Sequence, residues 1–323
     1  MAVYRLGSNG TQVTHIQEAL KQRGLYRGPL DGLFGGGTHG AVIVFQRSAK
    51  LVPDGRVGLK TWGALFGEPS QIPEPAIVNE DLARRCLALT GAFETGTGVP
   101  ECFCGLSGDF DGQGISFGVL QWNFGQGSLQ PLLKEMMTQH AGVAKSIFGE
   151  HYDALQAALK ASDDELMSFA RSVQHPIRRT VHEPWRGYAK ALGRTPEFQA
   201  IQVRHASGIF ERALQMAEEY ELWSERAVAL MFDIVTQNGS IRSITKAQIL
   251  AEISTLPAAL SDREREVHKL EIVANRRAEA ANPRWVDDVR RRKLCIARGE
   301  GVVHGIDYDL EDQFGIRLER YAP

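Results

Sequence analysis

One eight-residue pattern occurs twice near the N-terminus, as Asp31-Gly-Leu-Phe-Gly-Gly-Gly-Thr38 and as Asp54-Gly-Arg-Val-Gly-Leu-Lys-Thr61. Both copies read D-G-x-apolar-G-x-x-T. Asp-Gly makes a tight turn because glycine takes the positive φ that other residues avoid, and the second glycine stands where a helix starts. Helical spacing follows each copy: Ala41, Val42 and Phe45 after the first, Trp62, Leu65 and Phe66 after the second. Upstream, Val13, Ile16, Gln17 and Leu20 define an amphipathic helix ending near Gly24. The repeat thus constrains this part of the chain to three short helices joined by two copies of one turn.

The stretch Gly67-Glu-Pro-Ser-Gln-Ile-Pro-Glu-Pro75 cannot be a helix or a central strand, and such segments act as semi-rigid spacers. The expected organisation is therefore a domain over 1–66, a Pro-rich linker over 67–78 and a large domain over 79–323. At 323 residues the chain is long enough for a substantial core. Its net charge of −2 argues against a nucleic-acid partner. Cys86, Cys102, Cys104 and Cys295 fit neither a zinc pattern nor a disulfide framework and read as buried free thiols. No apolar run suits a membrane anchor, and MAVYRLGSNG has no apolar signal core. The expectation is a monomer made in a host cytoplasm without a signal peptide.

The larger segment is helical in pattern, with periodic stretches near 79–94, 128–147, 152–173, 196–220, 223–237, 244–256, 260–281 and 284–298. Residues 95–127 differ: they are Gly-rich, with short apolar alternation and turn signals. The fold class is accordingly mainly α, an α+β arrangement in which a short β-insert follows the first helix of a large helical domain.

The joint between that helix and the insert carries candidate chemistry. Asn79 is the expected N-cap, and Leu82, Cys86, Leu89 and Phe93 form one apolar stripe. Glu94 falls at the helix end beside Ala83, Leu87 and Thr90. There the negative end of the helix dipole and apolar neighbours would both raise its pKa, as a general acid for glycoside cleavage requires. Asp111 opens Asp-Gly-Gln-Gly-Ile-Ser116, a turn that could present a second carboxylate, although Asp in such a turn is as often a turn-former; Asp109 competes for the role. Glu101 is a weaker candidate. Asp287-Asp288-Val-Arg-Arg-Arg-Lys293 reads most simply as a solvated helix face, with an Arg that reaches the acid as the alternative.

Two resemblances follow from these motifs. Leu6-Gly7, Gly10, Val13, Ile16-Gln17, Leu20, Gly24-Leu-Tyr26, Gly28 and both Asp-Gly turns, with Phe45-Gln46 and Thr61-Trp62, resemble the peptidoglycan-binding type 1 module. Most of these residues would build its fold, while Phe45, Gln46 and the turns could also line a groove. Leu89-Thr-Gly-Ala-Phe93-Glu94, Asp111-Gly-Gln-Gly-Ile-Ser116-Phe-Gly118 and Phe124-Gly-Gln-Gly-Ser128 resemble glycoside hydrolase family 46, the chitosanases of the lysozyme superfamily. Trp185 to Gln202 and Ala229-Leu-Met-Phe-Asp233-Ile-Val-Thr-Gln237-Asn-Gly239 are similar to helical regions of that family. The resemblance implies Glu94 as general acid, Asp111 as general base and Ser116 as a residue that helps hold the attacking water. Gln113 stands where the family has Arg, which weakens the case for a cationic glycan. Asp233 is expected to hold the helix core rather than touch substrate. Gly118-Val-Leu-Gln121 is similar to a signature of goose-type lysozymes and lytic transglycosylases. Gln121, Gln113, Asn123 and Gln237 are the candidate substrate-binding residues.

Scattered histidines and the lack of a Gly-x-Ser-x-Gly or Cys-His signature disfavour metal-dependent or nucleophilic hydrolysis, and neither a cofactor nor a metal is expected. The combined expectation is an inverting muramidase acting in the periplasm on bacterial peptidoglycan, with its carboxyl groups about 6.5–9.5 Å apart. The expected setting is a phage endolysin, with an effector of a secretion machine as runner-up. A lytic transglycosylase using Glu94 by itself and a chitosanase are the enzymatic alternatives. A non-catalytic wall-binding component of a phage or secretion machine is the alternative from another class.

Overall fold

A computed structural model describes residues 3–67 and 72–322. Residues 68–71 of the expected linker lie outside the described residues. The chain is mainly helical with small sheets, as its patterning implies. Residues up to 98 together with those from 208 onward form one compact unit, and 99–207 form another.

The first unit begins with α1 (Thr11–Gln22), α2 (Gly36–Ser48) and α3 (Leu59–Phe66). Val13, Ile16, Leu20, Phe34, Val42, Val57 and Trp62 close their core. The repeat has a hydrogen-bonding basis that composition does not reveal. Gln17 lies buried in α1 with Nε2 donating to Asp31 Oδ1 (2.8 Å), the Leu33 carbonyl (2.9 Å) and Thr38 Oγ1 (3.2 Å), while Oε1 accepts from Gly32 N (2.9 Å). Gln46 in α2 does the same one copy later. It donates to Asp54 Oδ1 (2.8 Å), the Arg56 carbonyl (2.8 Å) and Thr61 Oγ1 (3.1 Å), and accepts from Gly55 N (2.9 Å). Each Asp-Gly turn is therefore fastened to the preceding helix by one amide. Gly32 and Gly55 take φ of 69° and 73°, which the turn requires. Gln46 is structural in this role, and it also lines a shallow pocket with Asp54, Arg56 and Thr61.

Part of the expected spacer packs on this body. Ile72 is buried in the same core, and Tyr4 Oη donates to the Pro73 carbonyl. Then Ala76–Asn79 form a 3₁₀ turn, and α4 spans Leu82–Thr95. The N-cap is Asp81, which accepts from Arg84 N at 2.8 Å, and not Asn79. The 3₁₀ turn uses up the residues before it. The stripe of Leu82, Cys86, Leu89 and Phe93 is buried as expected.

The second unit contains the insert as a three-stranded antiparallel sheet of β1 (Leu106–Ser107), β2 (Ser116–Phe117) and β3 (Trp122–Asn123), with β2 central. Ser116 pairs with Ser107 on one side and Asn123 on the other. Six helices follow: α5 (Leu129–Gln139), α6 (Ala141–Phe148), α7 (Tyr152–Lys160), α8 (Asp163–Ser172), α9 (Trp185–Arg194) and α10 (Pro196–His205). Long periodic stretches are thus divided. His140 leaves the helical region between α5 and α6 (φ −126°, ψ 42°), and Ser162 with Glu165 forms a capping box that starts α8 afresh. The core joins sheet and helices, with Phe117 stacked on Phe198 at 5.4 Å between centroids.

The chain resumes in the first unit with α11 (Ser207–Glu219), α12 (Glu225–Asn238), α13 (Ser243–Ser254), α14 (Asp262–Glu279) and α15 (Val286–Arg298). Every residue of α12 from Ala227 to Ile234 is buried, Asp233 included. A hairpin absent from the expected elements then appears: β4 (Glu300–Val303) and β5 (Ile306–Asp309), followed by α16 (Leu310–Phe314). Its two-residue turn places both His304 (φ 52°) and Gly305 (φ 80°) in the left-handed region, the conformation that suits a tight hairpin. All four cysteines are buried and free.

Because Gln46 satisfies four groups of its turn, Gln46→Ala leaves Gly55 N–H and the Arg56 carbonyl without partners. The expected cost is about 2 kcal/mol of local stability. It should be read as roughly thirtyfold faster hydrogen exchange at the Gly55 amide, with Gln17→Ala having the same effect at Gly32.

Candidate functional site

Glu94 occupies the last turn of α4, where helical carbonyls run out of partners. The hairpin supplies some of them. Tyr308 Oη donates to the Ala92 carbonyl at 3.1 Å, and His304 Nδ1 lies 3.2 Å from the Phe93 carbonyl. Gly96 closes the helix in the left-handed region (φ 68°) and donates to the Ala92 carbonyl at 2.8 Å. Phe93 packs edge-on against Tyr308 at 4.8 Å, so the hairpin holds the backbone beneath Glu94 through side chain as well as carbonyl contacts.

The surroundings of Glu94 differ from the apolar flank expected. Its side chain is 47% exposed, and Arg292 Nη1 donates to Oε1 at 2.5 Å. Gln237 Nε2 reaches the same oxygen at 3.5 Å. Both contacts fall on Oε1, and among the described residues Oε2 accepts no hydrogen bond. Helical geometry placed Ala83, Leu87 and Thr90 beside Glu94 but could not bring in α15, which is distant in sequence.

Behind Glu94 lies a buried ionic cluster. Arg292 Nε donates to Asp233 Oδ1 at 3.0 Å and Oδ2 at 3.1 Å, and Nη2 donates to Oδ1 at 2.5 Å. Lys293 Nζ donates to Asp233 Oδ2 and, at 2.8 Å, to Gln237 Oε1. Thr90 Oγ1 adds a contact to Asp233 at 3.4 Å. The guanidinium also lies over the Phe93 ring, 5.0 Å from its centroid. Burial opposes ionisation of Asp233, but Arg292 and Lys293 more than offset it and hold its carboxyl down at about 2. For Arg292 burial works against the charge, and Asp233 and Glu94 reverse that, raising its pKa. Arg292 is thus shared by Asp233 and Glu94, and Asp233 also holds Lys293.

Asp233 therefore does hold the core, as expected, but through two cations. Arg292 and Lys293 are the residues that sequence reading undervalued. The signal was present: Val289, Arg292, Lys293 and Ile296 share one helix face at i, i+3, i+4 and i+7. Gln237, an expected substrate-binding residue, bridges Lys293 and Glu94.

The remaining candidates lie in the second unit. Asp111 is exposed, and its Oδ1 accepts from Gln113 N at 3.1 Å, the bond of an Asx turn. Asp109 is buried, accepts from Gly114 N at 2.9 Å and pairs with Arg171 at 3.5 Å, so it is fully engaged in shaping that turn. The Gln113 carbonyl accepts from Gly125 N at 2.8 Å. Ser116 sits on the central strand directly across from Asn123. Asn123 is buried and fixes the following loop through Gln126 N (2.8 Å) and Ser128 Oγ (2.9 Å). Gln121 occupies the β2–β3 turn at φ 54°, donates to the Gly118 carbonyl at 2.9 Å and accepts from Ser107 Oγ at 2.8 Å. Glu101 is paired with Arg194 at 2.6 Å.

Residues 9–65 match the family model described as "Putative peptidoglycan binding domain". Over 59 residues the chain is 42% identical to the spore cortex-lytic enzyme of Bacillus cereus. That alignment covers 18% of this chain and 23% of the relative, so the chain spans about a quarter of the length of the curated relatives it matches. Among solved structures, a chitosanase complex is similar with 16% identity and a TM-score of 0.42, covering 70% of this chain and 95% of that one. A chitosanase co-crystallised with substrate gives 16% identity and a TM-score of 0.43 over 70% and 94%. The native chitosanase of Bacillus subtilis MY002 gives 17% and 0.40 over 68% and 87%.

The depressed Asp233 carboxyl links stability to pH. A group whose folded pKa lies below its unfolded value of 3.8 stabilises the fold fully above that value. The contribution is lost as pH falls through about 2. Urea titrations from pH 5 to pH 2 should show about 2 kcal/mol of stability disappearing across this window. In Asp233→Asn that part of the pH dependence should be absent, on a fold already weakened because Lys293 and Arg292 have lost their buried carboxylate.

Proposed function

We propose that the protein cleaves the glycan strand of bacterial peptidoglycan, with Glu94 as the proton donor. The observation that carries this reading is the asymmetric environment of Glu94. One oxygen is anchored by Arg292 and Gln237, and the other is open on an exposed side chain. A proton on Oε2 is then available to a leaving-group oxygen, while Oε1 is held in one orientation, which is the geometric requirement for general acid catalysis. Arg292 is itself fixed by Asp233 and by the Phe93 ring, so the anchor does not depend on a flexible side chain. The similarity of residues 9–65 to a peptidoglycan-binding domain supports the wall as the place of action, and with it the glycan strand as substrate.

In this mechanism Glu94 protonates the bridging oxygen and Asp111 accepts a proton from the attacking water, which gives inversion at the sugar carbon. Asp111 is preferred over Asp109 because it is exposed and engages one backbone amide, whereas Asp109 is buried and bound by Gly114 and Arg171. In this reading Ser116 is the hydroxyl that helps hold the water.

Mass spectrometry of fragments released from purified walls tests the assignment. Glu94→Gln should lower turnover by about a thousandfold or more with the fold intact. Asp111→Asn should lower it by about a hundredfold or more, with reducing-end products from the wild type. Anhydro ends with a silent Asp111→Asn would identify a transglycosylase instead. Undigested walls would leave a binding component.

A further inference from the structure

Close to Gln237 the first unit contains a second polar feature that the reading above does not use. The end of α12, the loop after it, the start of α13 and the end of α14 enclose a pocket of 190 Å³. Asn238, Ser240, Arg242, Thr245 and Arg277 line it. Its character is cationic: two arginines contribute, and among the described residues neither pairs with a carboxylate.

Arg277 is 9% exposed, and its Nε has no hydrogen-bond partner. Its neighbour Arg276 shows what a satisfied guanidinium looks like here, bound to Glu252 at 2.7 Å and Glu279 at 2.9 Å. Burial lowers the pKa of Arg277, and Arg242 lowers it further, with no acid opposing them. Arginine keeps its charge under such pressure, so the pocket holds buried positive charge without an internal counter-ion. The opening turn of α13 faces the same need. Its N-cap, Arg242, offers no side-chain acceptor, and the first amides of a twelve-residue helix are donors without intrahelical partners. Guanidinium forks, hydroxyls and helix amides together form a donor set suited to a planar anion.

We propose that this pocket binds a carboxylate carried by the glycan strand, and so selects peptidoglycan over neutral or cationic polymers of the same sugars. The proposal rests on the reading of Glu94 as the catalytic acid. Asn238 in the pocket wall follows Gln237 in α12, and Gln237 contacts that acid. Peptidoglycan carries carboxylates on its stem peptides, and on the lactyl group of its acid sugar wherever the stem peptide has been removed. Chitin and chitosan carry neither. Arg277 and Arg242 act here as specificity residues, with no part in bond breaking.

The test measures binding to the full-length Glu94→Gln chain by calorimetry, with three probes. These are a disaccharide–tripeptide muropeptide, the peptide-free disaccharide with its free lactyl group, and N,N′-diacetylchitobiose. Arg242→Ala alters an exposed residue and guards against misfolding of Arg277→Gln. Both should weaken muropeptide binding by about tenfold or more, with the loss shrinking at high salt and chitobiose unaffected. The peptide-free disaccharide decides the source: a loss there as well adds the free lactyl carboxylate as a ligand, and a loss confined to the muropeptide assigns the carboxylates of the stem peptide. Equal muropeptide affinity in parent and folded variants overturns the proposal, as does a parent that binds muropeptide no better than chitobiose. Failure of the catalytic reading is distinguishable. Wild-type chain that leaves walls undigested but binds muropeptide through Arg242 keeps the pocket and removes the enzyme.

Discussion

Asp233 is the point on which the first unit turns. It is a carboxylate without solvent, in the middle of a helix buried on every side, and such a group is tolerable only with compensating charge at hydrogen-bond distance. Two cations from one turn of α15 provide it. Removal of any member strands the others, so α12 and α15 are locked in one register. The surplus donors of that lock then reach outward: Arg292 has an arm left for Glu94, and Lys293 has one for Gln237. The position of the exposed acid is thus a by-product of the solution to a buried-charge problem.

The same unit holds the opposite electrostatic arrangement. Around Asp233 each cation has a carboxylate at hydrogen-bond distance, whereas among the described residues Arg242 and Arg277 have none. A folded chain gains nothing by keeping a buried guanidinium uncompensated. The contrast between the two sites, rather than either considered singly, marks the second as built for something brought from outside.

Much of this was legible in the residues. The Asp-Gly repeat specifies its three helices because turn chemistry and helical spacing are local, and α1 ends where Gly24 requires. Glu94 was found at the end of its helix for the same reason. Its environment was not, because Arg292 arrives from 198 positions away, and a carboxylate judged by its own helix looks apolar-flanked. Gln17 and Gln46 were seen as a helix position and a possible groove residue. That both are the fasteners of the repeat emerges only when each amide is seen to bond its own turn at four points. The hairpin at 300–309 escaped notice because its strands are short and half-exposed, although His304-Gly305 between apolar residues carried its signature. Long periodic stretches broke where Ser162 and His140 redirect the backbone, since periodicity registers faces and not interruptions.

That hairpin has a mechanical meaning. On one side Asp309 takes Arg5 of the N-terminal body at 2.6 Å, and Gly7 has so little room against Ile306 and Asp307 that a β-carbon would collide. On the other, Tyr308 and His304 grip the last turn of α4. A recognition module on a loose tether would sample a cloud of positions, and the wall it held could meet Glu94 at any offset. Joined through five residues of one ribbon, module and acid are instead held as in a caliper with a fixed gap. On the proposed function, the distance between the anchored stretch of wall and the cut is then a property of the fold, and fragment lengths would record it.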